Sequence, residues 1–564
     1  MTRIVIYLFA IFLGTVTPCV AKDFHTLSSN IDLQSQLTKD NTVYEIREDF
    51  KIESKLIIPY NSTLLFRGGS IIGGDIYFNS TTLDGDVCFT SIGKVEGIIV
   101  NETILTRWFN GVDDLFRIIN LLCASNDNKR IIVEAKEYIV RNPLLIRRRT
   151  GIDLDFNGAV IKDETQGDSK LLHRANPMIF IRASKNISIR NMNYEVSKKR
   201  HFGEIGTCVI CIGATSADWD EDTYNINILN VEGRGDLVIE TVKEKQIASG
   251  FISINGNTHD VTIENVSYTG NVGHLCNIEY GLAPDVAKTY KEKYKITLPD
   301  YYGLHPYNIR VNNITGYNSP KSYGYLRTSS CYNVIFENCY GYNVNRLFYL
   351  YSGDQSINRV NGSVIVRNCA SYINDEYSNT SLYGMMIQNV YINPNSKVPH
   401  EKGIRHNISY IVENCEFQGL LGKSGSGVLL TGDDGGVVFR NVTIRNFDTA
   451  FDSYADNRQE RYCNLIIENC LFDSNKKGLN LSGMKNPRIA STRFFPNQKS
   501  GAQITISANT ENVSITDCEF ASDSKFKSII VEESAGSGHL ISKSRFSNGI
   551  SKSLDDKENK VVVE

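Results

Sequence analysis

Five carboxylates, Glu279, Asp354, Asp433, Asp434 and Asp452, fall on or just after short segments of alternating apolar residues in the middle of the chain. Paired acids set this way can break a glycosidic bond, one protonating the leaving oxygen while the other activates water or attacks. The same segments carry Arg327, Tyr325, Tyr349, Tyr351, Gln388, Tyr454 and His274. Aromatic rings stack on the apolar faces of sugars, and Arg or carboxylates bond hydroxyls and uronates. A second chemistry is elimination across a uronate, which needs a base at the carbon next to the carboxylate and a cation to neutralise it. Arg327 supplies the cation there, with Tyr349, Tyr351, His274 or His305 as base or acid. A third reading needs no catalysis, only a groove that holds or displays on a glycan. No cofactor is expected: no tight Asp/Glu cluster marks a calcium site, and the His residues are too scattered for zinc, which leaves calcium only to carboxylates assembled across rungs, invisible in sequence.

These residues need strands to position them. Aligning the segments His274–Tyr280, Tyr323–Thr328, Leu347–Asp354, Tyr383–Gln388, Gly427–Asp434 and Ala450–Tyr454 with apolar positions inward gives two outward columns. One reads Glu279, Arg327, Tyr351, Gln388, Thr431, Tyr454, and its neighbour Asn277, Tyr325, Tyr349, Met386, Leu429, Asp452. A slip of one residue at any strand would exchange the faces. Long stretches at Pro284–Pro306 and Ile392–His406 border this wall, as loops over a functional face do.

What stacks the strands is a repeat. Asn186-Ile-Ser-Ile-Arg-Asn-Met192, Asn225-Ile-Asn-Ile-Leu-Asn-Val231, Asp260-Val-Thr-Ile-Glu-Asn-Val266 and Asn308-Ile-Arg-Val-Asn-Asn-Ile314 are copies of one phrase. Further copies end at Cys339, Cys369, Cys415, Val442, Cys470 and Cys518, with degenerate ones at Thr492 and Ser544. Alternate apolar residues mean a strand with one buried face, too short to stand alone, so the copies must stack. The shortest spacings, about 22 to 28 residues, suit one coil of a parallel β-helix of roughly a dozen coils. The residue after the second Asn then forms an interior column, its five cysteines acting as small buried hydrophobes with free thiols. Asn338, Asn368, Asn414 and Asn469 form a ladder of amides bonded from coil to coil. Cys208-Val-Ile-Cys211 has metal-like spacing, but residues three apart on a strand face opposite sides.

The rest of the chain frames this solenoid. Arg3 followed by the apolar run Ile4–Leu13, with Cys19-Val-Ala21 before Lys22, reads as an export signal at 1–21. A second reading lipidates Cys19, though Pro18 fits a lipobox poorly. The mature chain is therefore expected to be exported, in the periplasm, secreted or on the outer surface, with no membrane-spanning segment. A net charge of -3 gives no basic excess to suggest nucleic acid. The expected partner is a polysaccharide or oligosaccharide, and nothing sets an oligomeric state. Residues 22–105 form a strand-like segment broken by glycines at 68–69 and 73–74. Val112–Leu122 has helical spacing, with Asp113 and Asp114 in its first turn, and suits a cap over the solenoid's open end. The β-helix then occupies 106–550, ahead of a charged tail at 551–564.

Trp108 to Lys162 resembles the opening of the pectate-lyase-like right-handed β-helix superfamily, which includes polygalacturonase-type hydrolases and phage tailspikes. The resemblance lies in a helix, a strand with an aromatic before β-branched residues (Glu137-Tyr-Ile-Val140), and a Gly turn before the next strand (Phe156-Asn-Gly-Ala-Val160). It implies an all-β, right-handed parallel β-helix and, more loosely, glycan-directed activity. Thr431-Gly-Asp-Asp434 is similar to the Gly-Asp-Asp signature of polygalacturonases, but the accompanying Asn-x-Asp, Gly-His-Gly and Arg-x-Lys are missing. The signal, Gly-rich start and coils together resemble glycan-utilisation proteins of gut bacteria.

Overall fold

The computed structural model describes residues 22–111, 114–165, 177–200, 208–213, 221–240, 246–248, 250–279, 305–351, 361–374, 382–388, 407–431, 435–453, 464–497, 501–521 and 527–564. The export signal, Asp354, Asp433, Asp434 and Tyr454 lie outside these residues, as do 284–304 and 392–406. The chain divides into two compact units, Met1–Asn101 with Trp108–Gly111, and Glu102–Arg107 with Val112–Glu564.

The first unit is itself a stack of parallel strands. Asp23–Thr26, Thr42–Ile46, Thr63–Phe66 and Asp75–Gly85 pair in that order, and Phe50–Lys51, Ile71–Ile72, Phe89–Thr90 and Phe109–Asn110 form a second stack. Phe89 anchors its core, 5.3 Å from both the Phe66 and Phe109 rings. The glycine breaks have a steric cause. Gly73 and Gly74 take φ of +80° and +65°, and a Cβ on Gly74 would meet the Ser54 carbonyl oxygen at 2.5 Å.

The second unit is built from two long parallel sheets. One runs through 25 strands, from Thr103–Leu105 to Val561–Val563, and the other through 14, from Leu144–Arg147 to Leu554–Asp555, counted over the described residues. Two expected boundaries therefore move. Ile104 is fully buried and its strand pairs with Lys129–Ile132, so the solenoid opens before residue 106. The supposed tail adds a last coil, because Leu554–Asp555 pairs with Ile529–Ile530 and Val561–Val563 with His539–Ile541.

The repeat phrase lies on the longer sheet in the expected register. Met192, Val231, Val266, Ile314 and Cys339 stack in one column, each at most 1% exposed. The column cysteines Cys339, Cys369, Cys415, Cys470 and Cys518 carry free thiols. Each thiol in the column finds a carbonyl, as Cys470 Sγ does at Phe439 O, 3.6 Å away, and burial pushes that thiol up to about 12. The second Asn of the phrase bends the strand. Asn191, Asn230, Asn265 and Asn313 take φ of 52° to 56°, a left-handed conformation that Asn tolerates better than most residues. Their amides bond in series, Asn230 Nδ2 to Asn191 Oδ1 at 3.0 Å, Asn265 to Asn230 at 2.9 Å and Asn313 to Asn265 at 2.7 Å.

The cap forms as a helix over Leu115–Ser125 that buries Phe116, Ile118, Ile119 and Leu122. Asp114 precedes its first turn as the N-cap: one carboxylate oxygen accepts from the Phe116 N–H, the other from the Arg141 and Asn142 N–H groups. Asp113 is outside the described residues. Asn120 ties helix to sheet, its Oδ1 accepting from the Leu145 N–H at 2.8 Å. No helix among the described residues is long and apolar enough to cross a membrane.

Candidate functional site

The second sheet positions the candidate residues, and its register corrects the sequence alignment. Strands His274–Glu279, Leu326–Ser329, Phe348–Tyr351, Met385–Gln388, Ser426–Leu430 and Thr449–Ser453 are successive neighbours. One outward column reads Asn277, Arg327, Tyr349, Met386, Leu429, Asp452. The other reads Glu279, Ser329, Tyr351, Gln388. Arg327 thus belongs beside Asn277 and Tyr349, two residues from its expected place.

The cause is the corner preceding each strand. Leu275–Cys276, Tyr325–Leu326 and Leu347–Phe348 are pairs of consecutive inward residues, all at most 1% exposed. Strict alternation assigns the first of each pair to the outside. Tyr325 is therefore a core residue, not a sugar platform: its ring lies against Gly316 and its hydroxyl is 3.4 Å from the Tyr268 carbonyl oxygen. Burial raises its phenol well above the ordinary range.

Around Arg327 the outward side chains interlock. Arg327 Nη1 donates to Asn277 Oδ1 at 2.9 Å and lies 3.6 Å from Glu279 Oε2, while Asn277 Nδ2 donates to that same oxygen at 2.6 Å. The guanidinium also sits 5.7 Å from the Tyr349 ring centre and 5.9 Å from that of Tyr351, within cation–π range. Tyr349 donates its hydroxyl proton to Gln388 Oε1. Its ring is seated on Gly324, where any Cβ would come within 2.3 Å of the Tyr349 Cβ. The Gly324 carbonyl in turn accepts from His274 Nδ1 at 2.7 Å, so His274, Tyr349, Arg327 and Glu279 form one contiguous patch. Burial raises the Tyr349 phenol, with Arg327 and Arg346 pulling the other way.

Arg346 is a member of this patch that sequence reasoning missed. It lies in the turn before Phe348–Tyr351 at φ 50°, its guanidinium 5.3 Å from the Tyr383 ring centre and its Nη1 donating to the Tyr323 carbonyl at 3.1 Å. A turn residue outside the alternating segments leaves no periodic signal, so only the fold could find it. His305 is excluded from surface chemistry: it is 5% exposed, and its Nδ1 bonds the Ser330 carbonyl oxygen.

Distance separates the two described carboxylates. Asp452 lies five strands from Glu279, about 24 Å at 4.8 Å per strand. Glycosidase acid pairs stand about 5 to 9.5 Å apart, so these two do not form one. Asp452 instead accepts from Asn480 Nδ2 at 2.8 Å. Asp354 follows the strand Phe348–Tyr351, and Asp433–Asp434 follow Ser426–Leu430, two strands further on. Among the described residues no group of His, Cys, Asp and Glu is set to hold a metal ion.

The fold is a right-handed parallel β-helix. Residues 374–553 match the family of the right-handed beta helix region. No curated protein matches the sequence. Solved structures of similar fold include the mannuronan C-5 epimerase A-module of Azotobacter vinelandii, 11% identical, covering 80% of this chain and 96% of that one at a TM-score of 0.39. The endo-xylogalacturonan hydrolase of Aspergillus tubingensis is 9% identical, covering 80% and 91% at 0.29. The enzymatically active domain of tailspike protein 4 of bacteriophage CBA120 is 10% identical at 0.35, over 61% of this chain and 40% of its own.

Proposed function

We propose that the protein is an exported carbohydrate-active protein that cleaves a uronate-containing polysaccharide by elimination on the outward face of the second sheet. The observation that carries this is the Arg327 guanidinium set 5.7 Å and 5.9 Å from the Tyr349 and Tyr351 ring centres, with Tyr349 seated on Gly324, whose carbonyl accepts from His274. In this reading Arg327 pairs with the uronate carboxylate and so acidifies the neighbouring C–H. His274 donates through Nδ1 to the Gly324 carbonyl, which makes Nε2 the basic nitrogen for that proton. The electron pair of the broken C–H bond forms the new C=C bond, and the glycosidic C–O bond breaks. Tyr349, kept protonated by burial, gives its proton to the departing oxygen. Tyr351 and Gln388 line the same patch and hold neighbouring sugars.

Hydrolysis is the second reading. It is supported by the acids that follow strands two apart on this sheet, Asp354 on one and Asp433 with Asp434 on the other. The test incubates the purified chain with acidic and neutral polysaccharides and follows both new reducing ends and the absorbance of unsaturated uronates. Both signals rising together on an acidic glycan is the expected result. Reducing ends without the absorbance would overturn elimination in favour of the aspartates, and binding without product would leave a non-catalytic glycan-holding solenoid.

A further inference from the structure

Beside the Arg327 patch, the corner that leads into the second sheet carries three side chains with no part in elimination. Tyr323 is 46% exposed, and its ring centre lies 6.4 Å from that of His274. One coil on, the Arg346 guanidinium spans from Tyr323 to Tyr383. Its Nη1 donates to the Tyr323 carbonyl at 3.1 Å, and it sits 5.3 Å from the Tyr383 ring centre. Tyr383, one coil further, is half-buried. A Cβ on Gly425 would come within 2.8 Å of its Cε1, so this ring, like that of Tyr349, is seated on a glycine.

A buried amide bolts these corners together. Asn345 is 8% exposed; its Nδ2 donates to the Ser322 carbonyl at 3.1 Å, and its Oδ1 accepts from the Tyr383 N–H at 3.1 Å. The Arg346 N–H donates to the Tyr383 carbonyl at 2.8 Å. The spacing of Tyr323, Arg346 and Tyr383 is therefore set before a ligand arrives, and groups held in place bind without the cost of ordering them.

Arg346 itself points to an anion. Its φ of 50° is left-handed, a conformation disfavoured for a residue with a Cβ, and most non-glycine residues that adopt it in this chain are asparagine. The guanidinium is held by a carbonyl and an aromatic ring, both neutral, whereas Arg327 has the Glu279 carboxylate at 3.6 Å. These contacts orient the charge of Arg346 and leave it unneutralised for a carboxylate. The position also suits a neighbouring sugar. Arg346 stands three residues before Tyr349, the strand partner of Arg327. At about 3.3 Å per residue and 4.8 Å per strand, the two backbones are no more than about 11 Å apart.

We propose that Tyr323, Arg346 and Tyr383 form a second sugar subsite, in which Arg346 pairs with the carboxylate of the uronate next to the one held by Arg327. The exposed Tyr323 ring supplies an apolar face for that sugar. The pairing rests on the reading of this face as a uronate-binding surface. It makes a chain of consecutive uronates a better ligand than one in which uronates alternate with neutral sugars.

The experiment measures binding to the full chain by calorimetry. The probes are an oligogalacturonate and an oligomannuronate, whose uronates are consecutive, a hyaluronan oligosaccharide, whose uronates alternate, a sulfated galactan oligosaccharide and a neutral xylo-oligosaccharide. Arg346→Asn removes the cation and suits the left-handed φ, so the melting temperature should not fall. It is expected to weaken the better-bound consecutive uronate about tenfold and leave the hyaluronan oligosaccharide unchanged. Tyr323→Ala, on an exposed ring and so least able to disturb folding, should weaken the same ligand by less. Arg327→Ala should weaken every uronate. Loss with Arg346→Asn, in a protein that forms no unsaturated uronate, would keep the subsite and sink elimination. Unchanged binding in both Arg346→Asn and Tyr323→Ala, with loss in Arg327→Ala, would overturn the subsite and leave elimination standing. Equal weakening of the xylo-oligosaccharide, or preference for the sulfated galactan, would overturn the carboxylate pairing. Binding of none of the uronates would overturn both.

Discussion

On the longer sheet one residue type recurs from coil to coil: Asn191, Asn230, Asn265 and Asn313 each pass an amide bond to the next. On the second sheet the outward column changes at every step, from Asn277 to Arg327, Tyr349, Met386, Leu429 and Asp452. A column of identical amides satisfies itself, since every donor finds an acceptor one strand away. In the mixed column Arg327 still bonds Asn277 one strand away, but its side chains also reach across to the neighbouring column, Arg327 toward Glu279 and Tyr349 to Gln388. Regularity holds the solenoid up, and the departures from it supply a surface with charge and shape. The same contrast separates the tyrosines. Tyr317, Tyr342 and Tyr372 stack on one another along the longer sheet at 5.2 and 5.6 Å, whereas Tyr349 and Tyr351 face a guanidinium.

Breaking the mixed face should abolish activity while sparing the fold. Arg327→Ala is expected to slow formation of unsaturated uronates about a hundred- to thousandfold, the usual effect of removing a charge-stabilising donor, with an unchanged melting profile. Breaking the regular face should do the reverse. Ile314→Ala leaves a cavity between Val266 and Cys339 and should cost about 2 to 5 kcal/mol in urea denaturation, with the rate per folded molecule unaltered. The Asn ladder sharpens the comparison. Asn265→Ala forces a Cβ residue into φ 55° and should cost about 1 to 2 kcal/mol, whereas Asn265→Gly, free of that strain, should cost less. Smallest is the effect on the cysteine column. Because burial raises Cys470 to about 12, its thiol stays protonated at pH 8 and should resist alkylation until the chain is unfolded, as mass spectrometry of labelled peptides would reveal.

Sequence periodicity was enough to predict the repeat column, the free buried thiols and the capping helix, because each follows from alternation or helical spacing alone. An asparagine ladder was legible as a device but not at its rungs: the amide series joins Asn191, Asn230, Asn265 and Asn313, whereas Asn338 donates to Asn312 and Asn414 accepts from Asn441, and the left-handed φ carries no sequence signal. The candidate face was misplaced in register. Tyr325 looks outward by alternation, yet the corner takes two inward residues in a row, and that moved Arg327 by two positions. Arg346 escaped because turns carry no period. Residues 551–564 look like a tail by charge, but Leu554–Asp555 and Val561–Val563 continue the strand pairing by one more coil.

The two tyrosine sets give the most direct test of the claim that the mixed face, and not the regular one, holds the glycan. Calorimetric binding of an oligogalacturonate would be compared for Tyr349→Ala and Tyr342→Ala. Binding is expected to weaken about tenfold with the first and to stay unchanged with the second. Loss with Tyr342→Ala and full affinity with Tyr349→Ala would contradict it and move the glycan to the longer sheet.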